Sequence, residues 1–315
     1  LHSVAQGVIR LEELTPDYGA ERRRLRVVKY RGQKYRGGFH DFTIMNDGIH
    51  VFPRLVAAEH RHRYQRVQLS SRIPELDALL GGGIDSGSGT LILGPAGTGK
   101  SLISLVFAAA AVARGEKVGL FIFDEEMGLL FERMKKLDID LQALQETGNL
   151  MIEQVDAAEL SPGEFSHRVR RCVDEKHIKT VVIDSINGYQ AAMPGENALI
   201  LHMHELLLYL NRQGASTFMT VAQHGLVGDM HTSVDITYLA DTVILLRYFE
   251  ALGQVRRAIS VIKKRTGSHE STIREYRIGA HGLTVGAPLD AFQGVLRGVP
   301  HYYGESKPLM REENA

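Results

Sequence analysis

The sequence predicts an α/β fold: a mostly parallel sheet flanked by helices, continued at its C-terminal side by antiparallel β-structure. Three observations carry this. From Ser70 onward, short apolar runs alternate with amphipathic stretches of helical period, the pattern of βαβ units. A glycine-rich loop lies between one apolar run, Thr90 to Leu93, and an apolar, Ala-rich stretch from Leu102 to Ala113. After Asp241 the helical period stops and only strand-like segments follow.

In chain order, Val8 to Leu11, Arg22 to Tyr30, Phe39 to Ile44 and Ile49 to Phe52 read as strands, with Asn46-Asp47-Gly48 as a hairpin turn. Residues 56–66 carry His/Arg alternation and read as a solvated linker. Ile73 to Leu80 is a short helix with Pro74 in its first turn. Strands are expected at Val118 to Phe123, Leu150 to Gln154, Thr180 to Ile183, Ser216 to Val221 and Asp241 to Tyr248. Helices are expected near 127–136, 162–177 and 197–213. Arg256 to Lys264, Thr272 to Ile278 and Leu283 to Val285 form the antiparallel extension, and the tail from Pro288 reads as irregular.

The opening segment and the extension resemble each other at an offset of about 234 residues. Ala5, Val8, Ile9 and Leu11 match Ala240, Val243, Ile244 and Leu246. Lys29 and Arg31 match Lys263 and Arg265, and Phe42, Ile44, Gly48, Ile49 and Val51 match Tyr276, Ile278, Gly282, Leu283 and Val285. The expected organisation is therefore residues 1–55 as the last strands of a preceding copy, 56–66 as linker, 67–290 as one complete domain and 291–315 as tail. A start at Leu1 agrees with a piece of a longer chain.

Lys+Arg and Asp+Glu stand at 37 each, so no overall charge draws the chain to nucleic acid. The single cysteine, Cys172, excludes an intramolecular disulfide and fits a reducing cytoplasm. No apolar run is long enough to span a membrane, and the N-terminus lacks the pattern of a signal peptide.

The loop Gly94-Pro95-Ala96-Gly97-Thr98-Gly99-Lys100-Ser101 fits G-x-x-x-x-G-K-[ST]. Its glycines let backbone N–H groups turn inward around a polyphosphate, and the following helix N-terminus adds a favourable dipole. Lys100 is expected on the β and γ phosphates of ATP, and Ser101 on Mg²⁺. Asp184, ending an apolar strand, is the second expected Mg²⁺ partner, with a helix cap as the alternative. Asp124, Glu125 and Glu126 cluster at one strand end, where mutual repulsion would raise a pKa as a general base needs. Glu125 is the first choice and Glu126 the second. Gln223 is a candidate γ-phosphate sensor or a plain loop amide. Lys263 and Arg265, two apart on a strand, point the same way and suit a triphosphate or a charge-protected edge. His202 and His204 do not share a helix face and are read as ordinary helix residues.

Leu76 to Gly83, the loop, the Glu125-Glu126 pair, the Asp184 strand, Ala240 to Leu246 and the two K-x-R strands together resemble the KaiC branch of the RecA/DnaB-type P-loop ATPases. The resemblance covers essentially the whole chain. It implies a RecA-like fold, tandem ATPase domains, homohexameric rings, and ATP sites at subunit interfaces completed by a neighbour's Lys263 and Arg265. It further implies signalling partner proteins and, in some members, autophosphorylation, for which Thr237 is the surviving aliphatic hydroxyl beside Tyr238. The expected function is an Mg²⁺-dependent, ring-forming signalling or timing ATPase with autokinase activity. The alternatives are a nucleic-acid-dependent recombinase or helicase-like ATPase, and a nucleotide-dependent scaffold without turnover.

Overall fold

The computed structural model describes residues 4–15, 19–123, 125–191, 193, 196–223, 225, 236–251, 253–297 and 300–303. Asp124 and residues 304–315 of the tail lie outside them. The chain opens with β1 (Gly7–Leu14), β2 (Arg22–Tyr30), β3 (His40–Met45) and β4 (Gly48–Phe52), an antiparallel sheet in that order. Then come β5 (Gln68–Leu69), α1 (Pro74–Leu79) and β6 (Ile84–Asp85). The large unit runs β7 (Gly89–Gly94), α2 (Lys100–Ala113), β8 (Val118–Ile122), α3 (Met127–Lys135), α4 (Leu141–Glu146), β9 (Leu150–Gln154), α5 (Pro162–Lys176) and β10 (Thr180–Asp184). It continues with α6 (Ile186–Ala191), α7 (Glu196–Arg212), β11 (Ser216–Ala222), β12 (Thr242–Ala251), β13 (Gln254–Lys264), β14 (Ile273–Gly279) and β15 (Gly282–Pro288). The short strands β16 (Phe292–Gln293) and β17 (His301–Tyr302) pair beyond it, so the described part of the tail is not wholly irregular as the sequence reading held.

Nine strands form one sheet in the order β15-β14-β13-β12-β7-β11-β10-β8-β9. From β12 to β9 all pairings are parallel, and from β12 to β15 all are antiparallel. The parallel strands are apolar throughout because both faces are covered. On β7, Leu91 and Leu93 pack toward α5 and α7, while Ile92 packs toward α2, the alternation a pleated strand imposes. Each face thus has its own core, with the sheet between them. Alanines let α2 lie close on the sheet, and three of them, Ala108, Ala110 and Ala111, are buried. Helix α5 begins with Ser161 accepting from Glu164 N at 3.2 Å and Pro162 in the first turn, and ends at His177 in the left-handed conformation, start and stop signals of the expected kind.

The matched segments fold alike in detail. Sheet register slips between Val8 and Ile9 on β1 and between Val243 and Ile244 on β12, the positions that correspond in sequence. Arg31 N donates to Gln6 O at 2.9 Å, and Arg265 N to Asp241 O at 2.9 Å. The hairpin pair Ile44–Ile49 repeats as Ile278–Leu283. Their surroundings differ. Ile244, Leu246 and Leu283 are 0%, 0% and 6% exposed in the core, whereas Ile9, Leu11 and Ile49 are 63%, 60% and 58% exposed.

The stretch 56–66 is not a freely solvated linker. Ala57 is fully buried and its N–H donates to Glu205 at 3.0 Å, His60 stacks edge-on against Tyr209, and His62 N donates to Arg212 O at 3.2 Å. Ala57 and His60 face α7 while Ala58, Glu59 and residues 61–63 are exposed, and composition alone does not reveal that. The opening sheet is held against α5 as well: Asp41 accepts from Gly163 N at 2.7 Å, and Arg22 donates to Ala157 O at 2.7 Å. Burial pushes the Asp41 carboxyl above its ordinary range, against the helix N–H that stabilises its charge.

Candidate active site

The glycine-rich loop leaves the sheet from its centre, between β12 and β11. A side chain at Gly94 would meet Leu246 O at 2.8 Å, so the loop can start this close to β12 only with glycine. Gly97 and Gly99 have φ of +77° and +91°, the left-handed turns that fold the loop before α2. The loop carbonyls are held both from within the loop and from outside it. Pro95 O accepts from Thr98 Oγ1 and Lys100 Nζ, each at 2.8 Å. Ala96 O accepts from Tyr248 at 3.3 Å, and Thr98 O from the buried Tyr276 hydroxyl. Ser101 follows at the second residue of α2, half-buried.

Asp184 ends β10 and accepts a hydrogen bond from the Thr220 hydroxyl on β11. Burial lowers the Lys100 pKa, and the Asp184 charge opposes that shift. Asp184 also acts on Glu125, so loop lysine, metal-ligand candidate and base candidate share one electrostatic neighbourhood. Gln223 lies at the β11 end, its N–H donating to Gly94 O at 3.1 Å and its side-chain Oε1 buried without a partner among the described residues. That oxygen is an acceptor, so beside a phosphate loop it suits a water or a metal-bound water, and the amide nitrogen is the group that donates to a phosphate oxygen. The lysine, the hydroxyl of Ser101 and the carboxylate of Asp184 fit a nucleotide with Mg²⁺.

The two glutamates divide. Glu126 accepts from Gly128 N and Leu129 N, both at 2.8 Å, as the N-cap of α3. Those N–H groups hold its carboxyl below the ordinary range. Glu125 is partly buried and paired with Arg133 at 2.8 Å. Burial pushes its pKa up, Arg133 draws it back, and the Asp184 charge adds to the rise. The like-charge partner is thus Asp184 on the neighbouring strand, and burial outweighs it; repulsion within the strand-end cluster, the sequence expectation, is not the main cause.

Lys263 and Arg265 do share a face, as strand alternation predicts. Lys263 Nζ donates to Thr237 O at 3.0 Å, and Arg265 donates to Tyr238 O at 2.6 Å and lies 3.6 Å from Asp241. Lys264 points the other way and is buried on Leu80 O and Gly83 O, at 2.6 and 3.0 Å. In register, Lys264 stands opposite Thr242 and Thr242 opposite Thr90, at the start of β7, whereas Gly94 ends it. The cationic tip and the loop of one chain therefore lie at opposite ends of β7, about 13 Å apart along the strand. Thr237 is half-buried at this tip.

A family model described as ATPase: KaiC matches residues 69–290. The chain belongs to the KaiC ATPase family. It is similar to the circadian clock oscillator protein KaiC of Acaryochloris marina, 29% identical over 280 residues, covering 89% of this chain and 53% of the relative. It is 28% identical over 310 residues to circadian clock protein KaiC3 of Synechocystis sp., covering 96% and 60%. To KaiC of Thermosynechococcus vestitus it is 30% identical over 282 residues, covering 89% and 54%. The chain spans about half the length of the curated relatives it matches. No described helix is long and apolar enough to cross a membrane.

Around this KaiC-type loop, several participants escape sequence reading. Thr220, Arg133, Tyr248 and Tyr276 touch Asp184, Glu125 and the loop from other elements. Asn187 of α6 bonds both backbone groups of Ala222, at 2.7 and 3.3 Å, fixing the strand end before Gln223. None belongs to a motif, and Arg133, Tyr248 and Tyr276 lie inside a helix and two strands, so local sequence carries no signal for them. Half-buried His202 of α7 faces the Tyr189 hydroxyl at 2.5 Å, and desolvation of its ring lowers its pKa to about 4.

Proposed function

We propose that this KaiC-family chain binds and hydrolyses ATP with Mg²⁺ in a ring, a homohexamer by family resemblance, each active site lying between two subunits. The observation that carries this is the placement of Lys263 and Arg265 at the far end of β7 from their own loop. Cations so placed serve a neighbour's phosphates, and a head-to-tail contact of this kind closes as a ring. Residues 94–101 cradle the phosphates, Lys100 neutralises them, and Gln223 senses the γ-phosphate. Ser101 and Asp184 hold the metal, which supplies charge to the developing transition state. Glu125 takes the proton from the attacking water; its raised pKa suits a base, while Glu126 is engaged as a helix cap. Water oxygen bonds to the γ-phosphorus as the bridging bond breaks and ADP leaves with its electron pair.

The reading extends to three further points. The exposed apolar face of β1–β4 carries the residues that its counterpart buries, which supports residues 1–55 as the closing strands of a preceding copy, 56–66 as the docked connection, 67–290 as the complete ATPase domain and 291–315 as the tail. Thr237, held beside the cationic tip, is the autokinase acceptor. Signalling proteins are the partners, in the cytoplasm. The equal balance of charges disfavours a nucleic-acid motor. Mass and ATP turnover measured with and without nucleotide test the proposal: ring mass on adding ATP, together with turnover, is expected, and turnover by a monomer would overturn it.

A further inference from the structure

We propose that Asp241 is the positioning residue of the Arg265 finger, tying it to the strand that carries the chain's own phosphate loop. The inference rests on the reading that Arg265 acts on a neighbour's nucleotide. Asp241 N donates to Gly89 O at 2.8 Å, and its Oδ2 accepts from Gly89 N at 3.0 Å. Both backbone groups of the first residue of β7 are thereby held by one aspartate. The same residue holds the finger: Asp241 O accepts from Arg265 N at 2.9 Å, and Oδ1 faces the guanidinium at 3.6 Å.

Arg265 lies just beyond the end of β13, with its side chain 50% exposed. A half-exposed arginine samples many rotamers, and a finger stabilises a transition state only where its donors are aimed before charge develops. Tyr238 O and the Asp241 carboxylate grip the guanidinium from within the chain, which orients its remaining donors outward. Because β7 is buried along its whole length from Gly89 to Gly94, the grip refers the finger to the chain's own loop through a packed element. In the opening segment the backbone bond is repeated, Arg31 N to Gln6 O, but the matched side chain carries no charge. The carboxylate is thus an addition of the second copy, separable from the shared backbone geometry.

The test uses the assembled full chain. Asp241→Asn keeps an oxygen for Gly89 N and removes the charge facing Arg265. It is expected to lower kcat on the order of ten- to a hundredfold, the scale of misplacing a reacting group, with KM for ATP within about twofold. Affinity for ADP with aluminium fluoride, which mimics the transferring phosphoryl group, should fall while affinity for ADP alone stays. Adding the change to Arg265→Ala should slow turnover no further. Asp241→Gln, the side chain of the opening segment, is the second variant and should behave the same way. If Arg265→Ala is inactive but both Asp241 variants turn over normally, the proposal fails and the trans-finger reading stands. Normal turnover by Arg265→Ala removes that reading itself. Loss of ADP affinity, additive loss in the double variant, or failure of both Asp241 variants to assemble would make Asp241 a fold residue and overturn the proposal.

Discussion

Glu125 and Glu126 are adjacent and chemically identical, yet their surroundings assign them different work. Two helix N–H groups occupy Glu126, while Glu125 sits partly buried within reach of the Asp184 charge. Glu125→Gln is expected to keep nucleotide affinity and lose turnover by about 10² or more. Glu126→Gln should keep turnover and lower stability slightly, as a weakened cap. Nucleotide titration and phosphate release, run on both variants, distinguish these outcomes; equal loss of turnover in both would end the division of roles. His202 makes a second residue-scale prediction. Its folded pKa, about 4, lies below the ordinary value of 6.5. The unfolded chain therefore binds the extra proton, and stability falls as pH drops through that window. Between pH 7 and pH 5 the cost is about 2 kcal/mol. Denaturant midpoints at the two pH values should separate more in the parent protein than in His202→Gln.

At the scale of elements, the two copies of one β segment provide an internal control. Ile244 and Ile9 occupy matching bulge positions, but only Ile244 is covered. Ile244→Ala should cost about 2–5 kcal/mol, and Ile9→Ala within about 0.5 kcal/mol, by denaturant unfolding of this chain. Equal costs would show that the Ile9 face is packed in solution. The same comparison shows what local sequence reveals. Long apolar strands and the amphipathic α3, α5 and α7 were legible because period and capping agree with the packing. Helices α4 and α6, at six residues each, are too short for a period to stand out. The docking of 56–66 depends on Ala57, His60 and Tyr64 finding α7 and the glycine turns, partners remote in sequence.

For the whole molecule, the proposed ring makes activity a property of a junction, because loop and cationic tip are separated along β7. Lys100→Ala subunits carry a disabled pocket and an intact tip, and Arg265→Ala subunits the reverse. Each alone should turn over at a small fraction of the parental rate. Mixed rings should regain turnover where an intact pocket meets an intact tip, approaching about a quarter of parental activity in an equal mixture if the junctions act independently. Native mass on the mixture verifies co-assembly. No recovery in rings that contain both variants would place Arg265 in its own site or in a structural role.

The sequence by itself determined the class of chemistry. The loop from Gly94 to Ser101, the acidic ends of two apolar strands and the repeated K-x-R are encoded locally, because backbone conformation, charge and pleat direction follow from neighbours in the chain. The tertiary structure decided which groups meet. It set Glu126 on a helix start and Glu125 near Asp184, brought Thr220 and the two tyrosines to the site, and placed Arg265 at the far end of β7 under Asp241. Apart from the local cap at Glu126, these outcomes depend on strand order and register between segments 36 to 178 residues apart, where long-range packing, and not local preference, sets the lowest free energy.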